Sequence, residues 1–144
     1  MVDYALDANL TGLDQQFEYD VVALLAKLPD LWRIYYACRT CQEQAKLYAQ
    51  GRTAPGEIVT EAKPGQTPHE FGLAVDVVLI VDGKEVWDYA NPAYTRLWAA
   101  ILASPTLHSG HDFPTPDNDH IQSLKWYAKR KELMTSGKWD SETC

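Results

Sequence analysis

The first half of the chain carries two kinds of hydrophobic pattern. Between residues 14 and 28, apolar side chains recur three and four positions apart and stop at Pro29, which predicts an amphipathic helix. Residues 31–38 and 73–81 are instead rich in β-branched and aromatic side chains, as strands are. The second run is so apolar that it predicts a buried strand.

Capping and turn residues place the other elements. Thr40 with Glu43 predicts a capping box that opens a helix through Gln50, and Gly51 ends it. The remaining elements alternate between loops and short regular segments: a long loop at 52–68, a hairpin turn at Asp82-Gly83, a helix from Asn91-Pro92, a loop at 104–118, a strand at 120–122 and a helix at 124–135. This order predicts an α+β fold in which helices pack on a small antiparallel sheet.

Length, composition and charge narrow the function. With 144 residues and 46% hydrophobic content, residues 1–144 are expected to form a single domain whose core needs no disulfides. The net charge of −7, without a stripe of Lys and Arg, argues against a nucleic-acid partner. The chain begins without a basic and apolar leader and has no run of ~20 apolar residues. We therefore expect no signal peptide, no stable membrane association and a monomer.

The cysteines suggest one candidate function, thiol oxidoreduction. An odd count (Cys38, Cys41 and Cys144) argues against a disulfide framework and suits a reducing compartment. Cys38-Arg39-Thr40-Cys41 is nevertheless a Cys-x-x-Cys between a predicted strand and helix, where a thiol oxidoreductase has one. The chain lacks the βαβ alternation of such folds, and this alternative leaves the histidines described next unexplained.

Two histidines and one carboxylate stand out as metal ligands: His69, Asp76 and His120. Three protein ligands leave one position of a zinc ion open for water, as in catalytic sites. On one helix, seven residues would separate His69 from Asp76 by roughly 10 Å, too far for one ion. Asp76 instead belongs to the strand at 73–81, on the same face as small Ala74. An unpaired carboxylate there would be costly, and a metal compensates it.

Other polar residues are candidates for the chemistry around the ion. Asp117, three residues before His120, is the candidate base for the water. Arg39, at the start of a predicted helix, can donate to a developing oxyanion. Asp119 is a rival base and His111 a rival ligand. Two histidines and a carboxylate also hold iron(II) in oxygenases, although the carboxylate there usually lies two residues from the first histidine.

A longer motif resembles one known family. It consists of Arg39-Thr40, Glu43-Gln44, Leu47 to Thr53, Pro55-Gly56, Ile58 to Thr60 and then His69-x-x-Gly72-x-Ala74-x-Asp76. Over roughly residues 35–122, this motif resembles the zinc D-Ala-D-Ala carboxypeptidase and L-alanyl-D-glutamate endopeptidase family. The similarity is closest to its phage endolysins and sporulation-type members. The resemblance implies the hedgehog/DD-peptidase-like fold.

The resemblance also implies roles for individual residues. It makes His69, Asp76 and His120 the zinc ligands, Asp117 the base, and Arg39 the group that steadies the reacting carbonyl. Two departures stand out. Thr67 replaces the usual serine two residues before the first ligand, and Gly110-His111-Asp112-Phe113 and Asp119-His120-Ile121 replace the usual Gly-Gly-Asp-Trp and Pro-His-Phe.

The implied substrate is the stem peptide of bacterial peptidoglycan. We expect cleavage between L-alanine and D-glutamate, with D-Ala-D-Ala release by the same site as the alternative. A module that only recognises cell wall is a further alternative, which the presence of Asp117 disfavours. A chain without an export signal, as we expect here, resembles phage endolysins, which accumulate in the host cytoplasm and reach the wall at lysis. Host lysis is therefore the expected role.

Overall fold

A computed structural model describes residues 2–140 of the chain. Within this range, one mixed sheet contains β1 (Val2–Tyr4), β2 (Leu31–Tyr36), β3 (Ala74–Val81), β4 (Lys84–Val86), β5 (Leu107–Ser109) and β6 (His120–Ser123). The strand order is β1-β2-β3-β6-β5, and β4 forms a hairpin with β3. The main path of the sheet therefore joins β3 directly to β6, although 38 residues of the sequence separate the end of β3 from the start of β6.

Helices and short 3₁₀ turns connect these strands. The helices are α1 (Gln15–Lys27), α2 (Cys41–Ala49), α3 (Pro92–Leu102) and α4 (Lys125–Thr135), and the 3₁₀ turns are Pro68–Phe71 and Gly110–Asp112. Thr40 caps α2 as predicted, because its hydroxyl accepts from the backbone N–H of Glu43 at 3.1 Å. None of the helices in residues 2–140 combines the length and apolar character needed to cross a membrane.

The α+β fold is confirmed, with two corrections to the sheet. It is not wholly antiparallel, because β1, which the sequence pattern did not predict, pairs parallel with β2. In addition, the predicted loop at 104–118 contains β5, which pairs with β6. Both strands have three residues and lie at the edges of the sheet, so they are too short to show an alternating pattern.

The main core lies on one face of the sheet, and Asp76 lies on the other face of β3. Helices α1 and α3 pack their apolar sides against Val75, Val77 and Leu79 of β3. Because side chains alternate along a strand, Ala74 and Asp76 lie on the opposite face. A smaller apolar cluster, formed by Leu73, Trp126 and Leu133, attaches α4 beside that face.

Candidate metal centre

His69 is held on the short 3₁₀ turn that precedes β3. The turn begins at Pro68 and ends at Gly72, whose left-handed conformation (φ +68°) turns the chain into β3. The carboxylate of Glu70 accepts from the backbone N–H groups of Gly65, at 2.6 Å, and Thr67, at 3.2 Å. These bonds tie the preceding loop to the turn and fix the direction from which His69 enters the site.

The register of the sheet brings the other two predicted ligands together. Asp76 of β3 is directly opposite His120 of β6. Asp76 Oδ1 lies 3.5 Å from Nε2 of His69 and 3.2 Å from Nδ1 of His120. One donor atom from each of the three residues lies within 4.8 Å of the other two. The predicted ligands therefore meet at one point with a separation suited to a metal ion.

Hydrogen bonds on the far sides of the imidazoles set which nitrogen faces this point. Nδ1 of His69 lies 2.7 Å from the carbonyl oxygen of Ala37, which can only accept, so Nδ1 carries the proton and Nε2 presents a lone pair. Nε2 of His120 lies 2.8 Å from Oε1 of Gln122, which leaves Nδ1 as its ligand atom. Such outer hydrogen bonds are typical of metal-binding histidines, and this donor set fits a divalent ion such as zinc.

The charges at this point are strongly coupled. Burial acts to raise the pKa of Asp76, but hydrogen bonds from His120 and His69 lower it well below its ordinary value. Burial acts in the opposite sense on His120, yet the contact with Asp76 raises the pKa of the imidazole. The carboxylate is thus held ionised in the interior, as metal binding requires.

Asp117 and Asp119 lie at the edge of the centre in different surroundings. Oδ2 of Asp117 is 3.8 Å from Nδ1 of His120, and the side chain is half exposed. Burial and a hydrogen bond with Asp119 raise the pKa of Asp117 to about 6. Asp119 accepts a hydrogen bond from the hydroxyl of Tyr35. Asp117 is therefore the carboxylate with access to solvent beside the ligands, as a base requires.

Arg39 lies just before α2 and is oriented by two side chains. Its Nε donates to the hydroxyl of Tyr36 at 2.9 Å, and Nη1 donates to Oε1 of Gln44 at 2.6 Å. The Tyr36 ring stands edge-on to His69, with ring centres 5.4 Å apart, and the backbone N–H of Arg39 donates to the carbonyl of His69 at 3.1 Å. Arg39 is thus coupled to the turn that carries the first ligand.

The rival ligand His111 is engaged elsewhere. Its ring stacks on Trp98, with centres 3.6 Å apart, and Nδ1 lies 2.7 Å from Oδ1 of Asn118. His108, which belongs to β5, contacts the hydroxyl of Tyr127. In residues 2–140, the cluster of His, Cys, Asp and Glu suited to a metal consists of His69, Asp76 and His120.

The Cys-x-x-Cys does not have the environment of a redox site. Cys38 is a free thiol, so Cys38 and Cys41 are not joined to each other. Burial raises the pKa of the Cys38 thiol, whereas reactive thiols of oxidoreductases have lowered pKa values. Cys144 lies outside the described residues. These observations argue against the oxidoreductase alternative.

Three residues that support the centre were not predicted to have a role. Gln122 holds His120, Gln44 holds Arg39, and Gly110 lets the chain at 117–120 approach closely. A Cβ on Gly110 would lie 2.4 Å from the carbonyl oxygen of Asp117 and 2.9 Å from Cβ of His120. Gln44 belongs to the motif that resembles the family, and Gln122 had a signal in its two-residue spacing from His120, which on a short strand places both side chains on one face.

The chain is similar to known proteins in sequence and in fold, although no profile of a known protein family matches it. A peptidoglycan L-alanyl-D-glutamate endopeptidase of Bacillus subtilis is 49% identical over 51 residues, which are 35% of this chain and 30% of that protein. The match thus spans less than a third of the relative's length.

Solved structures share the fold over most of the chain. An L-Ala D-Glu endopeptidase of Serratia marcescens superposes with a TM-score of 0.63 at 16% identity, covering 88% of this chain and 93% of that one. An LD-carboxypeptidase gives 0.62 at 13% identity, with 94% and 71% covered. A vancomycin-resistance D,D-dipeptidase gives 0.56 at 16% identity, with 87% and 55% covered. The sequence match and the shared fold confirm the resemblance of this chain to the zinc D-Ala-D-Ala carboxypeptidase and L-alanyl-D-glutamate endopeptidase family.

Proposed function

We propose that the protein is a zinc-dependent peptidase that cleaves the bond between L-alanine and D-glutamate in the stem peptide of peptidoglycan. The observation that carries the proposal is the convergence of His69, Asp76 and His120, with the outer nitrogens of both imidazoles already hydrogen-bonded and Asp117 beside them. Three protein ligands and a neighbouring carboxylate are the usual catalytic groups of a zinc peptidase.

The residues divide the reaction between them. His69, Asp76 and His120 would hold the zinc ion, which would supply Lewis-acid chemistry by lowering the pKa of water to about 7 and polarising the scissile carbonyl. Asp117 accepts a proton from the attacking water and passes it to the nitrogen of the leaving amine as the C–N bond breaks. Its raised pKa, about 6, makes this second transfer easier than for an ordinary aspartate.

Arg39 is assigned to the oxygen of the scissile carbonyl. Its hydrogen bonds to Tyr36 and Gln44 orient the guanidinium before substrate arrives. A preorganised donor to a developing oxyanion typically lowers the barrier by ~3–4 kcal/mol. Arg39→Lys keeps the positive charge but loses the two hydrogen bonds to Tyr36 and Gln44 that orient the side chain, so it should still lower turnover strongly.

The choice of bond rests on the relatives. The B. subtilis relative and the S. marcescens structure are both named for cleavage between L-alanine and D-glutamate. The motif in residues 39–76 also resembles that of phage endolysins and sporulation-type members of the family, so we further propose that the protein accumulates in the cytoplasm of a bacterial host and degrades the wall at lysis. D-Ala-D-Ala release by the same residues is the alternative within this chemistry.

Digestion of purified peptidoglycan tests the proposal. Metal analysis of the purified protein should find one zinc per chain, and mass spectrometry should find new N-terminal D-glutamate in the digested wall. Asp117→Asn is the matched control, because it changes one oxygen to nitrogen and leaves the ligands in place. Free D-alanine as the sole product would favour the carboxypeptidase alternative, and full activity after complete metal removal would exclude both.

A further inference from the structure

Polar side chains connect the predicted ligand His120 to the edge strand β5. Gln122 and His120 project from the same face of β6, and both are buried. Ala74 and His108 are the cross-strand partners of Gln122. Ala74 is small, and Tyr127 of α4 contacts the amide of Gln122.

The hydrogen bonds that link His120, Gln122, Tyr127 and His108 form a network in which each donor and acceptor can be assigned. Nε2 of Gln122 donates to the hydroxyl oxygen of Tyr127 at 3.3 Å. The Tyr127 hydroxyl in turn contacts Nδ1 of His108. Nε2 of His108 lies 3.8 Å from Oδ2 of Asp112, and this electrostatic contact favours the tautomer with the proton on Nε2, in which Nδ1 is an acceptor.

In this network, the role of each group as donor or acceptor determines the role of its neighbour. Since Nδ1 of His108 accepts, the Tyr127 hydroxyl donates to it and its oxygen accepts from the amide N–H of Gln122. The amide oxygen of Gln122 therefore faces His120 and accepts from Nε2–H. With the amide reversed, an N–H would face Nε2 of His120, and the proton of the imidazole would lie on Nδ1, where a metal ion could not bind.

We propose that Gln122 is a positioning residue for the metal ligand His120, and that Tyr127 and His108 fix its orientation. The inference rests on the proposed metal site but not on the identity of the substrate. Mutation of the outer hydrogen-bond partners of metal-binding histidines typically lowers metal affinity or activity by 10–100-fold. Gln122→Met, which keeps the length of the side chain but removes the acceptor, should weaken zinc binding by about that factor.

The discriminating experiment combines substitutions at both positions. A carboxylate offers two equivalent oxygens, so Gln122→Glu should retain zinc affinity and should not need Tyr127 to orient it. Tyr127→Phe should therefore weaken zinc binding several-fold in the native background, and have no effect in the Gln122→Glu background. Coupling of this kind is what a double-mutant cycle measures. Zinc affinity is read by competition with a coloured chelator, without substrate.

Matched controls separate positioning from general stability. Tyr94→Phe removes another hydroxyl, one that donates to the carbonyl of Val86 at 2.8 Å, and should leave zinc affinity unchanged. Equal zinc affinity in the native protein, Gln122→Met and Tyr127→Phe would overturn the inference while leaving the proposed peptidase intact. An equal effect of Tyr127→Phe in both backgrounds would overturn the orienting role of Tyr127. Absence of zinc binding by the native protein would overturn the metal site itself.

Discussion

Replacing Gly72 by alanine tests how the first ligand is held. Gly72 ends the 3₁₀ turn of His69 in the left-handed conformation, and it packs against the backbone that leads into α1. A Cβ at this position would lie 2.0 Å from the carbonyl oxygen of Gly12 and 3.1 Å from Cα of Leu13. These are backbone atoms, so no side-chain rotation can relieve the clash.

The expected magnitude has two parts. An alanine in the left-handed conformation costs ~1–2 kcal/mol. Moving two backbone segments apart by more than an ångström adds roughly 1–3 kcal/mol, as for other overpacked sites. The carbonyl of Gly72 also accepts from the backbone N–H of Asp14 at 3.0 Å, so the displacement strains the N-terminus of α1. We expect Gly72→Ala to lower the free energy of unfolding by about 2–5 kcal/mol in total.

Gly83 provides the matched control. It has a similar φ of +76°, in the turn between β3 and β4, but a Cβ there meets no atom within 4 Å. Gly83→Ala should therefore lose only the conformational part. Urea unfolding of both variants in excess chelator gives the difference, and zinc titration should show weaker binding in Gly72→Ala alone. Free energies of unfolding that agree within about 0.5 kcal/mol would refute the steric argument.

Four further predictions concern the chemistry. Asp117→Asn should keep zinc and lower turnover at least ~10²-fold; if only Asp119→Asn has this effect, the base is Asp119. Gly110→Ala should lower both zinc affinity and turnover, because it displaces the backbone at 117–120, and unchanged kinetics would contradict this. Cys38→Ala should leave hydrolysis of peptidoglycan unchanged, whereas an activity that disappears with the thiol would favour redox chemistry. Zinc at about 100 times its dissociation constant should stabilise the fold by ~2.7 kcal/mol. Calorimetry should then show a melting temperature that is roughly 5–10 °C higher, and Asp76→Asn should abolish this rise.

The sequence predicted the elements whose signals are local. The apolar run at 73–81 is long and β-branched, and the structure has β3 at Ala74–Val81. Pro29, Thr40 and Asn91 mark helix boundaries through backbone geometry and capping, which act over one turn. These signals do not depend on what packs against the element, so they can be read without knowing the fold.

The missed elements depend on partners that are distant in sequence. β1 and β5 are strands only because β2 and β6 lie beside them, and three residues are too few to carry a pattern. The contact of Gly110 with the chain at 117–120 likewise exists only in the folded state. Glycine at this position has an ordinary φ, so nothing in the local sequence distinguishes it from a loop glycine.

The division between predicted and missed residues follows from how the centre is assembled. Chemistry needs particular residue types, so His69, Asp76 and His120 could be selected from the sequence as a donor set. Precision comes instead from groups that have no special chemistry of their own. The carbonyl of Ala37 and the amide of Gln122 decide which imidazole nitrogens face Asp76. A one-residue slip between β3 and β6 would place Asp76 and His120 on opposite faces and destroy the site without changing a ligand. Substitutions that alter the register of β3 and β6, or the outer hydrogen bonds of the imidazoles, should therefore weaken metal binding even when all three ligands remain.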